Sequence, residues 1–330
     1  MEPMPKQRVC RILNAGEDAL REARAALLAG EVVAIPTETV YGLAADATNG
    51  QAVARIFESK QRPSFNPLIC HVTGIAMAER FASFDPLLRK LADAFWPGAL
   101  TLVLPLRDEH AIHPLVTAGL DTVAVRAPQG FGAELIAAVG RPLAAPSANR
   151  SGRISPTTAQ AVADSLGDAI PLVIDGGPTA VGVESTIVKV DGETVRLLRP
   201  GGVAAEEIEA VVGRSLVRAE ANAAIQAPGM LASHYAPRAQ MRLNADHVAP
   251  GEALLGFGPV RIAGADAAKE VLILSEAADM KEAAANLFEF MSRLDAAGAA
   301  TIAVEPIPSN GLGEAINDRL ARAAAPRGEK

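Results

Sequence analysis

A two-part α/β architecture, one large mixed sheet flanked by helices and a smaller α/β unit behind it, is predicted by three observations. Apolar, β-branched runs alternate with stretches of helical periodicity along most of the 330 residues. Several later apolar runs are neighbours with only a turn between them, so the sheet cannot be purely parallel. The alternation lapses before residue 240, in a stretch of proline, glycine and unusual polar groups, and then resumes as a shorter series. At 49% hydrophobic and 21% charged residues, the chain can fill one large core and one small one.

Residues 16–29 read as a helix with Leu20, Ala23, Ala26 and Leu27 on one face and Gly30 as its C-terminal cap. The strand VVAIP follows and runs into the polar TETVYGL. QAVARIFESK is helical, PLICHV is a strand, and the helix DPLLRKLADAFW stops at Pro97-Gly98. LTLVLP and TVAVRAP are strands, GAELIAAV a helix, PLAAPS a buried run and TTAQAVADSL a helix. PLVIDGG, STIVKV and TVRLLRPG complete a sheet domain over residues 10–205, with a hairpin at VDGE. Residues 206–240, a short helix AAEEIEAVVG and then ANAAIQAPGMLASHYAPRA, read as an ordered linker. Over 241–330, the strands GEALLGFG, VLILS and TIAVEPIP and the helices EAADMKEAAANLFEFMSRLDAAG and GLGEAINDRLARAAA form a small α/β domain.

Composition narrows the function. A net charge of −7, with nine basic against thirteen acidic residues over 241–330, argues against a protein that grips nucleic acid over its surface. An aromatic content of 4% leaves few platforms for stacking splayed bases. Cys10 and Cys70 are far apart and belong to no metal-binding spacing, so neither a disulfide framework nor a zinc site is expected. No run reaches the roughly 18 apolar residues of a membrane span, and MEPMPKQRVC has no leader-like apolar stretch. The expectation is a soluble cytoplasmic protein.

Four polar clusters lie where strands run out, the favoured place for ligands in open α/β sheets. They are Thr37, Glu38, Thr39 and Tyr41; Lys60, Arg62 and Asn66, in a loop restricted by Pro63 and Pro67; Ser147, Asn149, Ser151 and Ser155 around Gly152; and Ser185, Thr186 and Arg199. Each alone has an ordinary structural reading: turn chemistry, cations at the negative end of a helix, Asx or ST turns, a rim arginine. Hydroxyls, amides and cations on restricted loops are also what phosphate oxygens require. No GxxxxGK[ST] occurs, so a nucleotide would be held differently from a P-loop.

Taken in order, PTETVYGL, KxRPxxNPLxxH, FWPGxLTLVL, TVAVRxP, APSANxSG, GVESTIV and LLRPG resemble the YrdC-like threonylcarbamoyl-AMP synthase family over most of residues 13–202. PGMLASHYAPR and the α/β tail resemble its long, two-domain form. Phe65 and Ala227 depart from the usual pattern without removing an expected ligand. The resemblance implies a YrdC-like twisted mixed sheet followed by a small Rossmann-like domain. It also implies an enzyme that joins L-threonine, bicarbonate or carbon dioxide and ATP into threonylcarbamoyl-AMP and pyrophosphate, the first step toward modifying adenosine next to the anticodon of certain tRNAs. By similarity, Thr39, His71, Arg126, Ala145 and Ser185 would line the threonine pocket, with Arg126 on the carboxylate. Lys60, Arg62, Asn66, Thr122, Ser147, Asn149, Ser155 and Arg199 would contact ATP, and Tyr235, beside His234, would close over it.

In that reading the reaction is adenylyl transfer, a nucleotidyltransferase chemistry assisted by positioning and by positive charge from Lys60, Arg62 and Arg199. Mg²⁺ would arrive with ATP and be held mostly by phosphate oxygens, with no metal ligand assigned to the chain. No covalent nucleophile is required. His71 is either a satisfied core histidine or a group orienting threonine. Glu38 is assigned no catalytic role, and Phe95 and Trp96 are read as structural. Partners implied are the proteins that transfer the group onto tRNA, with at most a weak contact to tRNA and none to membrane. Two rivals stand beside this reading: a protein that binds RNA by shape, and a different carbamoyl-handling enzyme.

Overall fold

The computed structural model describes residues 10–219, 226–229 and 233–326. The first nine residues and Met230 of the PGM motif lie outside the described residues. Elements of the large domain are β1 (Arg11–Asn14), α1 (Glu17–Leu28), β2 (Val33–Ile35), β3 (Gly42–Asp46), α2 (Gly50–Lys60), β4 (Ile69–His71), α3 (Ile75–Ala78), α4 (Pro86–Phe95), β5 (Leu100–Pro105), α5 (Pro114–Thr117), β6 (Thr122–Arg126), α6 (Phe131–Val139), β7 (Leu143–Ala144), α7 (Ala159–Leu166), β8 (Leu172–Asp175), β9 (Thr186–Asp191), β10 (Thr194–Arg199), α8 (Ala205–Val212) and β11 (Val217–Arg218). The small domain contains β12 (Gln240–Arg242), β13 (Ala253–Gly256), β14 (Val271–Ile273), α9 (Met280–Ala296), β15 (Thr301–Val304) and α10 (Gly313–Ala324).

The large sheet is mixed, in the order β1-β8-β2-β3-β7-β4-β6-β5-β9-β10-β11. The small sheet runs β12-β15-β13-β14 with every pairing parallel. Alternation along the strands sorts side chains onto two faces. Leu43 and Ala45 of β3, Cys70 of β4 and Val123 and Val125 of β6 pack beneath α2, α4, α7 and α8. On the other face, α1 and α6 cover only the β8-β2-β3 side, through Ala19, Ala23, Leu27, Leu135 and Ile136. The remaining part of that face is a small apolar floor, Ile69, Val103, Ala124, Ile187 and Leu198, against which Ala227 of the linker packs.

Several elements had no signal in the pattern. β3 reads GLAAD, small residues of low strand preference, yet all five are buried and the strand pairs antiparallel with β2. TETVY is therefore the loop of a hairpin. β1 is an edge strand, largely exposed, and shows no apolar alternation. Residues 206–218, placed in the linker by the sequence, pack with the large domain: α8 buries Ala205, Ile208 and Val212, and β11 extends the sheet beside β10. The long C-terminal helix starts only at Met280, because Asp279 caps it by accepting from the amides of Lys281 and Glu282, both at 2.8 Å.

The two domains share a core. Val40 of the hairpin loop and Val183 pack with Leu287, Phe288, Met291 and Ile316 of the small domain, and Ile154 and Val181 adjoin them. Gly182 (φ 76°) lies so close to α9 that a Cβ there would fall 2.3 Å from the carbonyl oxygen of Ala284. The small domain is thus seated on the loops that carry three of the four polar clusters.

Candidate functional site

The uncovered half of the sheet face becomes a small cavity of about 50 Å³, walled by strand ends on one side and by Pro228, Gly229, His234 and Tyr235 of the linker on the other. His71 and Arg126 are register partners at the ends of the parallel strands β4 and β6, so their side chains emerge together. Thr37 knits the hairpin loop by donating to the Val40 carbonyl at 2.7 Å, with its hydroxyl 2.9 Å from that of Thr39. Arg126 then donates to Thr39 Oγ1 at 2.7 Å and to the Gly98 carbonyl at 3.0 Å. Its remaining nitrogen lies 2.5 Å from Glu38 Oε1, a buried ion pair without hydrogen-bond geometry. Glu38 thus has a structural partner. Tyr41, expected among the polar candidates, is fully buried and bonds the Gly177 carbonyl at 2.8 Å, which makes it a scaffold residue.

At the other end, three cations are buried without an ion-paired carboxylate among the described residues. Lys60 is the last residue of α2, and Gln61 in the left-handed conformation (φ 51°) turns the chain so that Arg62 follows on the same side. Lys60 donates to the carbonyls of Ser147 and Asn149, and Arg62 to those of Asn66 and Pro67 at 3.2 and 2.8 Å. Arg199 donates to the Ser185 carbonyl at 2.8 Å and to that of Pro228 at 3.4 Å. Burial, reinforced by the charge of Arg62, holds the Lys60 ammonium well below its ordinary range, and burial brings Arg62 down to about 10.

An acid beside this group, Glu184, is already engaged: Oε1 accepts from Ser155 at 2.6 Å and Oε2 from Arg319 at 2.8 Å. Burial alone would raise its pKa, but Arg319 and Arg199 together with these hydrogen bonds hold it at about 2.

Of the residues singled out by sequence, Thr39, Arg62, His71, Arg126, Ala145, Ser147, Ser185, Arg199 and Tyr235 line this one cavity. Lys60, Asn66, Asn149 and Ser155 are not part of its lining, although Lys60, Asn66 and Ser155 bond to wall residues Ser147, Arg62 and Glu184. Asn149 uses its amide to brace its own loop, donating to the carbonyls of Arg150 and Arg153. Thr122 stands at the far end of β6, on the same face as Ala124 and Arg126, across the apolar floor. Several buried polar atoms here have no hydrogen-bond partner among the described residues: both polar atoms of Asn66, and Nδ1 of His71 and of His234. Such groups are costly unless a ligand or water meets them. His71 thus keeps one ring nitrogen without a partner among the described residues, and burial, with Arg126 adding to it, depresses its pKa to about 3. Trp96 donates to the Leu100 carbonyl at 2.7 Å and lies edge-on to Phe84, a packing role.

The sequence reading missed Glu184 and Arg319. A signal existed for both: an acid inside the apolar VEST run, and an arginine on the apolar stripe of an amphipathic helix. Among the described residues no group of three or more His, Cys, Asp or Glu side chains could hold a metal ion, and no helix is long and apolar enough to cross a membrane.

Comparison with known proteins gives two matches to family models. The Sua5–YciO–YrdC model, described as "Telomere recombination", covers residues 25–201, and "Threonylcarbamoyl-AMP synthase, C-terminal domain" covers residues 203–325. The threonylcarbamoyl-AMP synthases of Bacillus subtilis and Pyrococcus abyssi are each 40% identical to the chain, across 96% and 93% of it and 95% and 94% of their own lengths. A crystal structure of P. abyssi Sua5 complexed with L-threonine matches at a TM-score of 0.84 and 37% identity, covering 95% of this chain and 97% of that one.

Proposed function

The chain belongs to the Sua5–YciO–YrdC family, and on that footing we propose that it is a threonylcarbamoyl-AMP synthase acting by adenylyl transfer. The observation that carries the reading is the pairing of two unlike half-sites in one cavity. One is a small cradle of hydroxyls with a buried guanidinium, Thr39 and Arg126; the other is Arg62 and Arg199 at the wall with Lys60 buried behind it, and this buried charge calls for a polyanion. An amino acid suits the first and a triphosphate the second.

Threonine would set its carboxylate on Arg126, which requires Glu38 to share or yield that guanidinium, with His71 and Ser185 nearby to orient the amine or hydroxyl. The amine nitrogen bonds to the carbon of carbon dioxide with loss of a proton, or of bicarbonate with loss of water, to form a carbamate. A carbamate oxygen then attacks the α-phosphorus of ATP, the bond to the β-phosphate oxygen breaks, and pyrophosphate leaves. Lys60, Arg62 and Arg199 offset the charge that develops on the phosphates. Magnesium enters as the MgATP substrate; Glu184 at the cavity and Glu38 beside Arg126 are both committed to arginines, so phosphate oxygens would carry the ion. The apolar floor between Arg126 and Thr122 offers a surface for adenosine, and the linker shields a mixed anhydride from water. The product is an activated group for transfer to tRNA by partner proteins, in the cytoplasm.

Pyrophosphate release from MgATP and bicarbonate, compared with L-threonine, with serine and with no amino acid, tests the reading. Threonine-dependent release is expected, reduced about 100-fold or more in a Lys60→Ala/Arg62→Ala variant. Release that ignores both threonine and bicarbonate would sink the proposal.

A further inference from the structure

Helix α10 buries a stripe of Ala315, Ile316, Leu320 and Ala323, and the same stripe carries Arg319, no part of which is exposed. Its guanidinium leaves the small domain and enters the large one. Nε donates to Glu184 Oε2 at 2.8 Å, Nη2 to the Pro200 carbonyl at 3.0 Å, and Nη1 to Asp318 at 2.6 Å. Its central carbon lies 5.1 Å from the centre of the Tyr235 ring, on which Phe288 stacks at 5.4 Å. Glu184 and Tyr235 are cavity walls; Arg319 is not.

A buried carboxylate seeks the nearest cation when its partner is withdrawn. For Glu184 the cations already within its electrostatic reach are Arg199 and Lys60, the charges a triphosphate would use. We infer that Arg319 is a positioning residue of the nucleotide site: it occupies Glu184 so that Lys60, Arg62 and Arg199 remain available to phosphates, and it holds Tyr235 over them. The small domain thereby supplies a part of the nucleotide site that the large domain lacks. This rests on the reading of the cation trio as an ATP site.

The test measures ATP affinity by calorimetry, and KM for ATP and for threonine, in the full chain and in Arg319→Gln, Arg319→Lys and the double variant Glu184→Gln/Arg319→Gln. Arg319→Gln should weaken ATP binding about tenfold, the scale on which members of one ion-pair network couple, and leave KM for threonine within about threefold. The double variant, with no stray carboxylate, should recover most of the ATP affinity, and Arg319→Lys should stay within about threefold of the parent. A purely architectural arginine would lower melting temperature and active fraction without moving ATP affinity, and the double variant would rescue nothing. A folded Arg319→Gln with unchanged ATP affinity, or a double variant no better than the single, overturns the inference. Should Arg319→Gln not fold, the double variant is compared with Arg319→Lys: similar ATP affinity supports the inference, and a tenfold deficit in the double variant overturns it. A parent chain that binds ATP but releases no pyrophosphate with threonine defeats the synthase reading and leaves these comparisons intact. A parent chain that binds no ATP defeats the site and the inference together.

Discussion

Histidines 71 and 234 are buried at the cavity with pKa values depressed to about 3, in each case chiefly by burial, with Arg126 adding to the effect at His71 and Arg62 and Lys60 at His234. Both are neutral in the folded chain at pH values where the unfolded chain, near 6.5, takes up protons. Below that value the unfolded state binds more protons, so stability falls as pH falls from about 6.5 toward 3 and is fully present above 6.5. Each imidazole contributes a slope of about 1.4 kcal/mol per pH unit inside that window. Urea unfolding between about pH 6 and pH 5, above the range of most carboxylates, should show a slope that His71→Gln cuts by roughly half. An unchanged slope would mean that His71 is already solvated or charged. Sequence pointed to these side chains but not to their state: PLICHV reads equally as a strand with a satisfied histidine, and the partnerless Nδ1 is visible only in the folded chain.

Among the elements, the strand pattern was legible wherever apolar alternation was strong. LTLVLP is β5 residue for residue, and Thr122, Ala124 and Arg126 share one face because a strand has period two. The GLAAD strand was not legible, since alanine and glycine carry no strand preference and its burial comes from neighbours on both faces. Gly182 is a further case: its positive φ and its approach to the α9 backbone are set by docking of the two domains. Gly182→Ala should cost about 3 kcal/mol, from left-handed strain plus overpacking against backbone that cannot move aside. Chemical denaturation would register it, and faster proteolysis of the linker should accompany it. A neutral substitution would show that the domains are seated less tightly than the shared core implies.

On the scale of the molecule, Val40 and Val183 belong to the core of the small domain, and the Glu184–Arg319 ion pair is buried where the domains meet. Breaking such a pair strands a charge, and opening the shared core exposes apolar surface on both sides. The full chain should therefore unfold in a single calorimetric transition with equal calorimetric and van't Hoff enthalpies. Two resolved transitions would mean that the small domain is an independent passenger. The sequence by itself determined the two-part α/β architecture, the order of most elements and the candidates for two ligand half-sites, because strand period, helix period and loop chemistry are local properties of a chain. Only the tertiary structure decided that Glu38 sits on Arg126, that Lys60, Arg62 and Arg199 lean on backbone carbonyls, and that Arg319 in the last helix reaches Glu184. Those are pairings between residues as many as 135 positions apart, and which buried charge meets which is settled by how strands and loops pack within the large domain and, for Glu184 and Arg319, by how the two domains meet.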